Sequence, residues 1–182
     1  MGEKNLVPAA WMELLSKQTK FTGLMETNQY SEEYGLTLSE EDAKMLLAET
    51  GHTLQEQRRV EFGSGILLQI IRAFCDSMYI SQDDYVQTLV RLQEIFFLYK
   101  NEMLDEITDE ELLNFMKEQF ETICCGDLDY LENTCLMIFS QAIRAGYQGY
   151  QRSCGTGEYQ QFDEVERWDH ELYLEALSDL LS

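Results

Sequence analysis

Residues 82–104 read QDDYVQTLVRLQEIFFLYKNEML, and the rest of the chain is best organised around them. Tyr85, Leu89, Leu92, Phe96, Tyr99 and Met103 recur at steps of four and three, the spacing of one face of an α-helix. Val86, Val90, Phe97 and Leu104 form a second row about a hundred degrees round the same helix. Two apolar rows need two neighbours. The helix is therefore expected inside a bundle, with Gln87, Arg91, Glu94 and Asn101 as its wet edge.

Moving outward towards the N-terminus, Thr53 and Glu56 have capping-box spacing, so a helix is expected to start there and run to Ser77. From Phe62 on, Ile66, Leu67, Leu68, Ile70, Ile71, Ala73, Phe74 and Cys75 leave only Gln69, Arg72 and Asp76 as a narrow polar strip, the pattern of the most buried helix. Gly63 and Gly65 each weaken a helix by about 1 kcal/mol relative to alanine. They either break it or admit a second backbone, and close packing is the reading taken. Ser39 with Asp42 opens an earlier helix that Gly51 is expected to stop. The polar stretch from Asn28 to Gly35 reads as a loop. Before it, Trp11, Leu14 and Leu15 share the face of a helix that begins after Pro8, its continuation past Gly23 left open.

On the other side, Thr108 and Glu111 form a further capping box, with Leu112, Leu113, Met116, Phe120, Ile123 and Cys124 on one face and Gly126 as the stop. Asp127 caps a helix with Leu128, Leu131, Cys135, Ile138, Phe139 and Ala142 inward, ending at Gly146. Residues 146–161 have loop composition, and Val165, Trp168, Leu172 and Ala176 mark an amphipathic C-terminal helix. The expected fold is an all-α, single-domain helical bundle of about six to seven helices over residues 1–182, with residues 146–182 as an appended loop and helix.

The chain of 182 residues holds 13 basic and 34 acidic side chains, a net charge of −21. Such a field repels nucleic acid and anionic membrane, whose binding draws on clustered lysine and arginine, so neither is an expected partner. From Glu102 to Asn133 eleven carboxylates accompany a single lysine. Solvated helix faces explain most of this, and an acidic surface for a basic protein partner explains the remainder. Five cysteines without framework spacing suit reduced thiols and a cytoplasmic location, and no eighteen-residue apolar run suggests a membrane span.

Tests for chemistry return mostly structural readings. Asp127, Asp129 and Glu132 lack the glycine of a calcium loop, and the cysteines lack the tight pairs that zinc requires. Glu166 and His170 lie one helical turn apart, a spacing that a shared metal could use, and the favoured reading is an exposed ion pair or partial cap. Cys154, beside Arg152 in the glycine-rich segment, is the most interesting thiol, but no arranged base accompanies it. The pairs Gly63/Gly65 and Gly155/Gly157 lack the lysine of a phosphate-binding loop. No catalytic residue, metal ligand or cofactor is assigned. Arg58 and Arg59, the only adjacent basic pair, together with Glu61 and Asp76, are the candidate ligand-binding residues, with an internal salt bridge as the structural reading of the arginines.

The stretches Arg59 to Gly63, Ala73 to Ser77, Asp84 to Val86, Leu92 to Phe96 and Leu98 to Glu102 resemble a family of small acidic bacterial proteins, a domain of unknown function from anaerobic Gram-positive bacteria. The resemblance runs from near Tyr30 to Arg144. It implies a bacterial cytosolic origin and carries no activity, ligand or catalytic residue. The first functional reading is a non-enzymatic protein-interaction module with an acidic surface. The alternative is a small helical enzyme or ligand-binding protein with a site between helices, and self-association as a homo-oligomer through the tail is a third reading.

Overall fold

The computed structural model describes residues 9–61 and 63–146, which form an all-α bundle. Its elements are α1 (Ala9–Ser31), α2 (Glu40–Glu56), α3 (Ile66–Phe74), α4 (Tyr85–Glu102) and α5 (Asp109–Thr122). A last helix follows in three unbroken pieces: α6 (Leu128–Tyr130), a π-helical segment (Leu131–Leu136) and α7 (Met137–Arg144). The reading of residues 147–182 lies outside the described residues.

α4 is the central element, as its two apolar rows require. It packs against α2, α3, α5 and α7. Tyr85, Leu89, Leu92, Phe96, Tyr99 and Met103 are all buried. The second row holds less well: Leu104 lies beyond the helix and is exposed. Two polar residues of α4 are also buried, Gln93 and Lys100. Gln93 accepts a hydrogen bond from the Thr50 hydroxyl (3.0 Å), so α2 and α4 are joined by a polar contact inside an apolar interface.

Two of the three expected capping boxes form. Ser39 and Thr108 each accept from the backbone N–H three residues on, while Asp42 and Glu111 accept from the cap residues' own N–H. Other expectations shift: α5 ends at Thr122, so Ile123, expected inward on that face, turns out to be exposed while Cys124 is buried. α2 runs through Gly51, and Thr53 is buried within it rather than capping a new helix. α1 continues through Gly23 and Tyr30, followed by one 3₁₀ turn (Glu32–Tyr34) before Gly35 turns the chain in a left-handed conformation. The first eleven residues of α1, Ala9 to Thr19, are exposed, so Trp11, Leu14 and Leu15 lie outside the core.

Gly63 and Gly65 break the expected long helix instead of admitting a neighbour. Both have positive φ, and Gly65 sits at φ 84, ψ 165, where only glycine is comfortable. The break lets Glu61 fold back over the start of α3. Its Oε1 accepts from the Ile66 N–H (2.6 Å) and its Oε2 from Lys20 Nζ (2.8 Å), so one carboxylate caps α3 and ties it to α1.

The π-helical segment has a legible cause. Leu131, Cys135 and Phe139, all buried, and half-buried Ile143 are spaced by four, four and four. At 3.6 residues per turn, three successive steps of four would swing the stripe about 120° away from the core. One wide turn absorbs the surplus residue and keeps the four on one side. Here the Tyr99 hydroxyl donates to the Glu132 carbonyl, and the Glu132 carboxylate pairs with Arg91. Burial, helped by Glu132, pushes the Tyr99 phenol up to about 12.

Candidate functional site

The most unusual local structure lies where the loop after α2 meets the loop after α4. Arg58 adopts a left-handed conformation (φ 53), and the following Arg59 N–H donates to the Leu54 carbonyl (2.9 Å). Arg59 then reaches α4. Its Nη1 donates to Asn101 Oδ1 (2.6 Å) and its Nη2 to Asp105 Oδ1 (2.6 Å), with a longer contact from Nη1 to Asp105 Oδ2 (3.3 Å). This is the forked recognition of a carboxylate that a guanidinium permits and an ammonium does not. Asn101 Nδ2 completes the junction by donating to the backbone carbonyl and side chain of Gln57 (3.1 and 2.9 Å).

The second loop carries two consecutive left-handed non-glycine residues, Leu104 (φ 52) and Asp105 (φ 58). Each such residue costs on the order of 1 kcal/mol, so the turn persists only because its surroundings hold it. Arg59 holds Asp105 from one side, and Lys100 from the other at 3.4 Å. Lys100 Nζ also meets Asp109 Oδ1 (2.9 Å) and donates to the Ile107 carbonyl (2.7 Å). The Arg59 hydrogen bond, outweighing partial burial and helped by Lys100, holds the Asp105 carboxyl below its usual range.

What this arrangement presents is apolar. Val60 is 77 % exposed and Leu104 is 75 % exposed, one on each loop, flanking the Arg59–Asp105 ion pair. Exposed Asp109 and Glu110 lie at the start of α5, beyond the same turn. The site is thus two apolar side chains on anchored loops with carboxylates beside them.

The pH dependence of this anchor follows from the direction of the Asp105 shift. A carboxyl depressed in the folded state stabilises fully above the ordinary carboxylate pKa, about 4, and loses that contribution as pH falls below it. The difference in urea midpoint between wild type and Arg59→Met is therefore expected to be full at neutral pH and to shrink below about pH 4. A difference independent of pH would show that Arg59 acts through packing alone.

The four residues singled out from the sequence go to different places. Arg59 is central to the junction, and exposed Arg58 adjoins it without entering any ion pair among the described residues. Glu61 caps α3. It lines a cavity of about 10 Å³ with Lys20, Thr50 and Leu67, room for one water, and that cavity includes none of the other three. Asp76 pairs with Lys117 (2.5 Å), which also bridges to Glu121 and lies over the Phe74 ring. Lys100 and Asp105 went unrecognised. The available signal for Lys100 was its position four residues after Phe96, within an apolar row.

A second concave region, an open groove of about 490 Å³, lies between α4 and the start of α6, with Gln87, Arg91, Asp127 and Asp129 along it. Arg91 is held there by Glu94, Asp129 and Glu132. Among the described residues, no group of three or more histidine, cysteine, aspartate or glutamate side chains is placed to hold a metal, and no helix is long and apolar enough to cross a membrane. Cys154, Glu166 and His170 lie outside the described residues.

Comparison with known proteins finds one family for the chain. Residues 23–149 match the family described as "Family of unknown function (DUF6323)". No curated protein and no solved structure matches the chain.

Proposed function

The chain belongs to that family of unknown function, and from the geometry of its two anchored loops we propose that it is a non-enzymatic docking module for a cationic protein segment with an apolar anchor. One observation carries the reading. Every lysine among the described residues, and Arg59, Arg91 and Arg144, lie within ion-pair distance of a carboxylate of this same chain. Of the described cations only Arg58 and Arg72 enter no such pair, so most of the positive charge is engaged within the chain and the excess of carboxylates is left for an outside partner. Val60 and Leu104 supply what charge alone lacks, a desolvatable anchor for a side chain of that partner. Steering by the anionic surface would speed encounter, and the apolar pair would set residence time.

The alternative, a small-molecule site between helices, draws its support from the groove at Arg91, whose volume falls in the range of ligand pockets. Its one cation is already neutralised by three carboxylates, so docking is the better-supported reading.

The test compares immobilised wild type with a Val60→Ser, Leu104→Ser double variant in lysate from the native source, at low and high salt. A cationic protein retained at low salt, released at high salt and held about tenfold less by the variant is expected. Recovery of no salt-sensitive partner, or of one that holds to both forms equally, ends the reading.

A further inference from the structure

Cys124 and Cys135 carry a feature that docking does not use. Their sulfurs lie 3.6 Å apart, both side chains are buried, and they belong to different elements: Cys124 just past the end of α5, Cys135 inside the π-helical segment. A disulfide needs the sulfurs at about 2.05 Å, so roughly 1.5 Å of approach separates contact from bond. The wide turn bearing Cys135 contains the one surplus residue of its helix, which is where such an approach is easiest to accommodate. Next to Cys124, Cys125 is exposed in a left-handed conformation (φ 49), followed by Gly126 at φ 90. Three thiols thus run from solvent to core, the outermost accessible and the inner two in contact.

We propose that Cys124 and Cys135 are a dithiol/disulfide couple that exchanges with low-molecular-weight disulfides through Cys125 as the entry thiol. In the oxidising direction the Cys125 thiolate attacks the small disulfide, forming a mixed disulfide and releasing one small thiolate. Cys124, deprotonated, attacks the Cys125 sulfur and displaces the second small thiolate. Cys135, deprotonated, attacks the Cys124 sulfur, and Cys125 leaves as a thiolate. The sum is balanced: one small disulfide becomes two thiols, two protein thiols become one disulfide, and the protons lost by Cys124 and Cys135 end on the released thiols. Burial, aided by neighbouring thiols and Asp127, pushes the Cys124 thiol up to about 12, and burial also raises Cys135. Both thiols are also buried out of reach of an outside oxidant, whereas Cys125 is exposed and in the same chain turn as Cys124, which is why that neighbour matters.

Closing the bond would draw Cys135 and its turn towards α5. Glu132, in the same turn, holds the contacts to Tyr99 and Arg91, so oxidation would be felt at the groove beside Arg91. This inference stands apart from docking at Val60 and Leu104, and either can fail without the other.

The full-length protein, incubated with excess oxidised glutathione under native conditions, alkylated and digested, gives the answer by peptide mapping. Wild type is expected to show a peptide containing Cys124 and Cys125 linked to one containing Cys135, without retained glutathione. Cys125→Ser, a change at an exposed side chain, makes the assignment unambiguous and is expected to form the same link about tenfold more slowly. Retention of glutathione on Cys125 with Cys124 and Cys135 both alkylatable after unfolding would overturn the couple, as would no oxidation of any of the three. A Cys125→Ser variant that forms the link at the wild-type rate would overturn the entry role.

Discussion

Lys100→Ala is expected to destabilise the fold by about 4 kcal/mol, measured by urea unfolding at neutral pH. Lys100 is buried near the end of α4, and its ammonium donates to the carbonyl of buried Ile107. Removing the donor leaves that carbonyl unpaired in a place water does not reach readily, at about 1–3 kcal/mol. The loss of the alkyl stem leaves a void beside apolar neighbours and adds a comparable amount. The ion pairs with Asp105 and Asp109 add little, since both carboxylates are about half exposed. Lys100→Met separates the two parts. It keeps most of the stem and should recover about half the loss, whereas equal effects of alanine and methionine would assign the whole role to the charge. A loss below about 1 kcal/mol for alanine would mean the buried lysine is merely tolerated.

Gly65→Ala is the second large effect, expected at about 3 kcal/mol or more. Its backbone conformation is strained for any residue with a Cβ. An added Cβ would also lie 2.5 Å from Glu61 Oε2 and 2.8 Å from its Cδ, driving away the carboxylate that caps α3 and pairs with Lys20. Gly63→Ala is the internal control. Gly63 too has positive φ, but an added Cβ would meet nothing within 4 Å, so only the conformational part remains, about 1 kcal/mol. Equal losses at the two glycines would show that the Glu61 cap contributes nothing.

The contrast between those glycines also explains what was legible in the sequence. Periodicity found α4, α5 and the capped start of α2 because local preference and burial point the same way there. It failed at Gly51, where a glycine inside α2 is tolerated because Thr50 and Thr53 on either side are buried against neighbours. It failed again at residues 53–77, since the capping spacing of Thr53 and Glu56 arises by chance inside a helix as readily as at its start. The wide turn at residues 131–136 was detectable, had the three successive steps of four been weighed against the helical period. The junction of Arg59, Lys100, Asn101 and Asp105 was not detectable in the same way. Arg59 lies more than 40 residues before the other three in the chain, and only the packing of α2 against α4 brings it within reach of them.

The exposed start of α1 has a spectroscopic consequence. The chain has two tryptophans, Trp11 and Trp168, and Trp11 is 62 % exposed. Its indole sits in water whether or not the core is folded, so its emission maximum stays at long wavelength through an unfolding transition. Circular dichroism is therefore the better monitor for the variants above. When excitation is chosen to select tryptophan over the ten tyrosines, any short-wavelength component in the native emission spectrum belongs to Trp168, which makes that emission an optical probe of the C-terminal segment.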